Sequence, residues 1–412
     1  MSIPPKRTGQ LTEFGFVLVM SVLICTGSAQ AAEKTLYSFQ GGSDGIDPWG
    51  SLVADASDNL YGTTISGGTG DGSDCESNAG CGTVFELAPD GSETILHDFA
   101  GGCDGAAPAA GLVADKSGAF YGTTSIGGSC NDEGFGTVFK LLSDGTESVV
   151  YAFKGGNDGQ DPEGNLIEDK QGNLYGTTTI GGGGNGYGTV FEIKSNGKEV
   201  ILHAFTGPPD GIGPDGGVIR DKAGNLYGTT ALGGNGTACD SGGLGCGTVF
   251  KLAPDGTETL LYNFQGGSDG ADPLCNLVMD KSGNLYGTVR ELAGAYGGVF
   301  KLAPDGTETI LHAFQGGADG NDPQAGLVMD KSGNLYGTTY DGGGDACHNQ
   351  SGCGTVFKIA ADGTESVLYM FTPSHGGFPT ASLLLGKKDM LYGTTTIGGA
   401  DNDGVVFSVK AK

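Results

Sequence analysis

The chain is poor in positive charge. Its 412 residues carry 21 Lys and Arg against 48 Asp and Glu, a formal net charge of −27 at pH 7. A surface of that sign repels phosphate backbones and anionic headgroups, which sets aside nucleic acid and membrane surfaces as partners. Long apolar runs are scarce too. The run from Phe14 to Cys25 holds 12 residues, well short of the roughly 20 that a membrane-crossing helix needs, and no second run of spanning length follows. Tryptophan occurs once, at Trp49. The G-x-S-x-G, H-E-x-x-H, Walker and dinucleotide fingerprints do not occur in a supporting context, so the common catalytic machines they mark are not indicated. Glycine is abundant, 82 of 412 residues, but lacks the period of three that a collagen helix requires.

The apolar run near the N-terminus follows Lys6 and Arg7, and Ala29-Gln30-Ala31 then offers small residues for cleavage before Ala32. This order reads as a secretory signal peptide over residues 1–31, with a mature chain of 32–412. Ile24 precedes Cys25, where lipoprotein processing would want a small residue. A secreted protein, extracellular or periplasmic, is expected.

Abundant glycine with regularly spaced Leu, Ile, Val, Phe and Tyr points to many short strands joined by tight turns. The tetrapeptide Y-G-T-T begins at Tyr61, Tyr121, Tyr175, Tyr227, Tyr336 and Tyr392, and Tyr286 opens the variant Y-G-T-V. The seven copies lie 60, 54, 52, 59, 50 and 56 residues apart. Each is followed by a G-T-V-F-like segment ending at Phe85, Phe139, Phe191, Phe250, Phe300, Phe357 or Phe407, and six of these lead through a D-G or N-G turn to an L-H-x-F or L-Y-x-F segment. One repeat thus holds four short apolar segments, a to d. In the fifth they are Leu277 to Met279, Asn284 to Thr288, Val299 to Leu302 and Thr307 to Phe314. The a–b turn reads D-K-S-G-N, with Gly172, Gly224, Gly283 and Gly333 at the left-handed position and Asp58 and Asp389 replacing Gly in the first and last copies.

Four antiparallel strands per unit, repeated seven times, describe an all-β, seven-bladed β-propeller of four-stranded blades. A parallel β-helix has shorter repeats without hairpins. The last repeat stops after its c strand, and an orphan d-like segment, Thr35 to Phe39, opens the mature chain. The N-terminal strand is therefore expected to close the last blade and remove two open strand edges.

The ordered motifs Y-G-T-T, G-T-V-F and D-G-T-E-T, with G-G-x-D-G-x-D-P between units, resemble the GloVer tandem repeat of bacterial exported proteins over nearly the whole mature chain. The resemblance implies a secreted or surface location and no particular activity. Relatives often carry a C-terminal anchor or sorting segment. This chain ends at Lys412 without one, which favours release.

In a propeller the b–c and d–a connections share one face. The b–c loops here run from 7 to 17 residues while the hairpins are uniform, so that face is expected to bind something. The three longest loops, of 17, 16 and 14 residues, hold Cys75 and Cys81, Cys239 and Cys246, and Cys347 and Cys353. Local disulfides are expected, since spacings of six and seven fit common zinc sites poorly. Cys103 and Cys130 are candidates to pair across neighbouring loops, which leaves Cys275 as a buried free thiol.

The d–a loops repeat acids. Asp44, Asp104, Asp158, Asp210, Asp269 and Asp319 are candidates for a ligand face, with Trp49 to stack on a sugar or plug the channel rim, and with His348 and His375. Asp47, Asp161, Asp272 and Asp322 are candidates for calcium, although Asp-Gly pairs and Asp before Pro also form turns without any ligand. His97, His203 and His312 alternate with Tyr37, Tyr151, Tyr262 and Tyr369 at one d-strand position, as expected of a packing or edge site. The expected function is that of a secreted, monomeric binding or scaffold protein for a polysaccharide or a protein, without an obligatory cofactor. The alternative is a polysaccharide lyase or glycoside hydrolase, calcium-dependent or not, which should break the repeat symmetry with unique polar residues.

Overall fold

In a computed structural model, the protein is described over residues 33–72, 75, 79–130, 134–239, 242–344, 347 and 351–411. The expected signal peptide of residues 1–31 and the candidate His348 lie outside the described residues.

Each Y-G-T-T segment pairs with its G-T-V-F segment because a glycine on one strand sits directly beneath a phenylalanine on the other. In the first blade Gly62 is the partner of Phe85, and a Cβ on Gly62 would come within 2.6 Å of the Phe85 ring. The same conflict exists at the other six copies, so no larger residue fits without moving the ring. This pair forms the middle of a four-stranded antiparallel blade: a, Val53–Ala54; b, Leu60–Thr64; c, Thr83–Leu87; d, Glu93–Asp98.

Blades two to six repeat this order from Val113 to Ala152, Ile167 to Ala204, Ile219 to Asn263, Val278 to Ala313 and Val328 to Met370. Blade seven takes a, b and c from Leu384–Leu385, Met390–Thr395 and Val405–Lys410, and its d strand is the N-terminal segment Glu33–Ser38. Glu33 lies opposite Val409 and Ser38 opposite Val405. Closure by the N-terminal strand is therefore as the repeat count requires, with the strand beginning two residues earlier than its motif.

Blades pack on one another through three recurrent contacts. The Phe that ends strand d meets the c-strand Phe of the next blade edge-on, with ring centroids 4.9–5.3 Å apart, at all seven interfaces, from Phe99–Phe139 round to Phe371–Phe407 and Phe39–Phe85. The proline of each d–a loop lies over the first Gly of the preceding G-T-V-F, as Pro108 does over Gly82 and Pro48 over Gly404. That glycine adopts left-handed φ of 93° at Gly82 and 100° at Gly404, which disfavours any other residue there. At five of the seven copies the first Thr of Y-G-T-T donates to a carbonyl of the next blade, as in Thr63 to Ala110 (3.0 Å) and Thr229 to Cys275 (3.1 Å), whereas the buried hydroxyls of Thr123 and Thr338 have no partner.

Inside most blades the second Thr bonds the first Thr of strand c, for example Thr64 and Thr83 at 2.9 Å. Blade five replaces both members, with Val289 opposite Gly298, so neither hydroxyl is left without its mate. Strand d carries a bulge at every copy. Val84 faces His97 and Phe85 faces Ile95, which leaves Leu96 unpaired in the ladder.

The d–a and b–c loops meet on one face through a short bridge at each blade, such as Ile46 with Ser66 and Asn321 with Asp341. In blade four it lengthens into a two-stranded ladder, Gly211–Ile212 with Leu232–Gly233. Disulfides Cys75–Cys81, Cys239–Cys246 and Cys347–Cys353 tie three b–c loops to the start of strand c, and Cys103–Cys130 ties a d–a loop to a b–c loop. Cys275 is a free, buried thiol that accepts a hydrogen bond from the Thr288 amide. Among the described residues no helix is long and apolar enough to cross a membrane.

The closing contact has the same geometry as the internal ones, so it should carry the same energy. Phe39→Ala and Phe314→Ala are each expected to cost about 3–5 kcal/mol in chemical denaturation. A much smaller cost at Phe39 would mean that the N-terminal strand is only loosely attached.

Candidate functional site at the channel mouth

The repeated acids of the d–a loops are held by their own blades. The Asp44 carboxylate accepts the Tyr37 hydroxyl at 2.6 Å and the Gln40 amide at 2.6 Å. Asp158 and Asp269 repeat this with Tyr151 and Tyr262. At Asp104, Asp210 and Asp319 the partner is Nε2 of His97, His203 or His312, at 3.1–3.3 Å. These six carboxylates sit at the outer rim between blades and are not gathered into one ligand face. In the last interface, whose loop is one residue shorter, His375 takes the Asp position next to Glu33, and this exposed His375 bonds Thr372 and Ser374 at 2.9 Å each.

Each rim Asp also faces the Glu that begins strand d of the next blade. Burial, and then the adjacent Asp, push the carboxyls of Glu93, Glu147, Glu199, Glu308 and Glu365 up to about 7. One oxygen of each is sealed from solvent without a hydrogen-bond partner. His97, Asp104 and Glu147, and likewise His312, Asp319 and Glu365, bring three ligating atoms within 4.8 Å of one another. Tyrosine replaces the His at three other rims and keeps the same bond to Asp, so the arrangement holds together without a metal.

The four candidate calcium acids, Asp47, Asp161, Asp272 and Asp322, take left-handed φ of 56–62°, a conformation Asp tolerates better than most residues. Each carbonyl accepts the amide that opens the facing b–c loop, as in Ile65 to Asp47 at 3.1 Å and Tyr340 to Asp322 at 2.9 Å. Ala107 and Phe378 make the same turn in two other loops, with φ of 54° and 57°. Asp272 and Asp322 also share Arg290, at 3.3 and 2.7 Å.

The blades leave a cavity of 390 Å³ on their common axis, at the end facing these loops, with a wall drawn from all seven. The residue after each loop proline lines it: Trp49, Ala109, Glu163, Asp215, Leu274, Gln324 and Thr380. Elsewhere the repeats nearly copy one another. Here the seven equivalent positions hold seven different side chains. Trp49 is 42% exposed. Glu163 is accessible along the cavity wall, yet the surrounding protein and the charges of Asp161 and Asp215 push its carboxyl up to about 7. Asp215 lies deeper, and burial followed by repulsion from Asp272 raises it to about 7. Asn165 crosses from blade three, accepting the Gly111 amide at 2.7 Å.

A second cavity of 520 Å³ opens on the same face above blade five, lined in part by Cys239, Asp272, Arg290, Glu291, Tyr296 and Asp341. The b–c loop of blade five has only 7 residues, between neighbours of 16 and 14, and this difference in height makes the groove. Tyr296 is 56% exposed at its edge. Sequence reasoning placed Trp49 on this face but missed Glu163, Asp215 and Arg290. Aligning the residues that follow the seven loop prolines is the signal that finds the first two.

The profile of the Gloeobacter/Verrucomicrobia repeat matches residues 72–289 and 235–412. The chain belongs to that repeat family. A comparison with curated proteins found no match. Among solved structures the chain is similar to a catalytically inactive virginiamycin B lyase from Staphylococcus aureus determined with quinupristin, at a TM-score of 0.59 and 12% identity over 92% of this chain and 99% of that one. It is also similar to the extracellular domain of a one-component system from B. thetaiotaomicron, at a TM-score of 0.54 and 10% identity over 92% of this chain but 40% of that one. At such identities the likeness shows the propeller fold alone.

The rim carboxyls make stability pH-dependent. A Glu whose folded value is near 7, against 4.5 for the free side chain, binds its proton more tightly when folded. Its contribution is full below about pH 4.5 and is lost as pH rises through about 7. The melting temperature is expected to fall between pH 5 and pH 8. Gln at positions 93, 147, 199, 308 and 365 should flatten that slope, and an unchanged slope in the variant would place its origin elsewhere.

Proposed function

We propose that the protein is an exported glycan-binding propeller that holds its ligand at the loop-face mouth of the axial cavity. The observation that carries this reading is the loss of repeat symmetry at the seven positions after the loop prolines, all of which line one cavity. Packing alone would keep those positions alike, as it keeps the phenylalanines and glycines alike. Trp49 offers an aromatic plane for the C–H face of a sugar ring, while Glu163, Asp215, Asn165 and Gln324 supply hydrogen-bonding groups for hydroxyls. The cavity volume lies within the range of about 300–1,000 Å³ usual for small-ligand sites. Four disulfides suit an oxidising compartment, which together with the N-terminal signal supports export.

Because Trp49 is the only tryptophan, its fluorescence reports on this mouth alone. Titration with oligosaccharides from bacterial and plant polysaccharides is expected to change its emission saturably. Trp49→Ala should weaken binding about tenfold, or ~1.4 kcal/mol, measured by calorimetry. An unresponsive Trp49 across the panel would overturn the glycan reading in favour of a protein partner at the groove beside Tyr296. Low-mass products would replace binding by cleavage, with Glu163 and Asp215 as the first carboxyl pair to substitute.

A further inference from the structure

The axial cavity has a floor, and the floor is a second departure from the repeat. Two residues after each mouth residue, Ser51, Asn165, Asn276 and Ser382 alternate round the axis with Gly111, Gly217 and Gly326. Each of these glycines stands between two larger neighbours, which together fill the space its own Cβ would need. A Cβ on Gly111 would come 2.6 Å from the Ser51 carbonyl oxygen and 3.0 Å from Asn165 Oδ1. On Gly217 it would meet the Asn165 carbonyl and lie 2.9 Å from Asn276 Oδ1. On Gly326 it would lie 2.7 Å from both the Asn276 carbonyl oxygen and Ser382 Oγ. Asn165 accepts the Gly111 amide at 2.7 Å and reaches Ser51, two blades away, with Nδ2 3.5 Å from Oγ. Among the described residues the cavity lining goes no deeper than this ring. The cavity is therefore a pit that opens toward the loops and not a channel through the propeller.

The groove above blade five adjoins this pit, and the two share a wall. Gln324 lines the pit and donates to Asp322 at 2.8 Å. Asp322 in turn accepts from Arg290 at 2.7 Å, and both of these line the groove. The sides of the groove are fixed. On one side Cys239 is tied to Cys246. On the other, Asp341 bridges to Asn321 and accepts the Ser351 hydroxyl at 3.0 Å. Tyr296 stands at the edge, 56% exposed. A preformed groove of this kind costs little ordering when a ligand enters it.

We infer that the protein recognises the end of a glycan chain: the terminal sugar enters the pit, and the units behind it leave along the groove past Tyr296. The inference rests on the glycan reading above and narrows it to chain ends. A sugar inside a polymer continues in two directions and needs two exits, as a cleft or a tunnel provides. A pit closed by Asn165 and Asn276 provides one, so only a terminal unit reaches its floor. The floor meets that unit with the amides of these two residues, which both donate to and accept from hydroxyls. Tyr296 offers the next units an aromatic face, as Trp49 does at the mouth.

The test titrates the mature chain from Ala32 with size-fractionated hydrolysates of each polysaccharide in the panel, from the monomer to the soluble polymer. Malto-oligosaccharides are included together with cyclodextrins, which are the same chains without ends. Trp49 emission and calorimetry report binding. In any series that binds, affinity is expected to rise over the first few units and then to stay constant per mole of chain ends, so that at equal mass the polymer binds least. Should the malto series bind, cyclodextrins are expected to bind about tenfold more weakly than linear chains of the same length. Tyr296→Ala should lower the affinity of the longer chains about tenfold and so flatten the rise with length. The inference is overturned by binding that follows polymer mass and not the number of ends, by cyclic chains that bind as well as linear ones, or by a length dependence that Tyr296→Ala leaves intact. These failures differ from failure of the glycan reading. If no glycan changes Trp49 emission, both fall; if glycans bind without regard to their ends, the glycan reading stands and only the end-on inference falls.

Discussion

The contact on which the rest of the propeller depends is the edge-on meeting of two phenylalanines across each blade interface. The d-strand Phe of one blade and the c-strand Phe of the next are almost completely buried, most of them at 0% exposure. Each c-strand Phe in turn lies over the glycine of its own b strand. The glycine lets the ring lie flat on the sheet, the flat ring accepts the neighbour's ring, and the neighbour's ring sets the spacing of the blades. The Pro-over-Gly and Thr-to-carbonyl contacts repeat the spacing nearer the axis. All three close across the termini, at Phe39–Phe85, Pro48 over Gly404, and Thr394 to the Gly50 carbonyl at 3.5 Å. Because the three agree, neither the blade number nor the partner of the N-terminal strand is left free.

This is why so much of the fold can be read from the sequence. Y-G-T-T, G-T-V-F and L-H-x-F each name residues that contact another of the motifs, although blade seven keeps Thr395 opposite Val405. Blade five shows this most directly, since the Thr pair is lost from both strands at once at Val289 and Gly298. The strand d bulge was not readable, because an extra residue in the ladder leaves no mark when the apolar pattern continues through Leu96. The bonds from His97, His203 and His312 to an acid seven residues on were also hidden. Seen as letters, a His that alternates with Tyr looks like a packing site. In space, both side chains reach the same carboxylate.

The candidate site was read poorly for a related reason. Repeated acids attract attention in a sequence because they are repeated, yet repetition in a propeller is what structure demands. Asp44 and its five equivalents clip their own loops, and Asp47, Asp161, Asp272 and Asp322 sit at a left-handed turn that Ala107 and Phe378 take in two other loops. Function that uses one ligand on the axis cannot be seven-fold. It must appear as departures from the repeat, and the residues after the loop prolines look like noise until the fold gathers them round one cavity. Trp49 was visible only because tryptophan is otherwise absent.

The same distinction explains how charge is distributed. With a net charge of −27 the whole molecule is acidic, but the rim carboxylates are engaged by Tyr or His hydroxyl and ring donors and by backbone amides. Among the described residues, the acids of the mouth without an ion pair include Glu163 and Asp215, while Arg290 bonds Asp272 and Asp322. A concave wall of that kind focuses its field into the cavity. Such a field disfavours anionic ligands and favours neutral or cationic ones. The charge state of Glu163 and Asp215 therefore determines the sign of the ligand that the mouth can take.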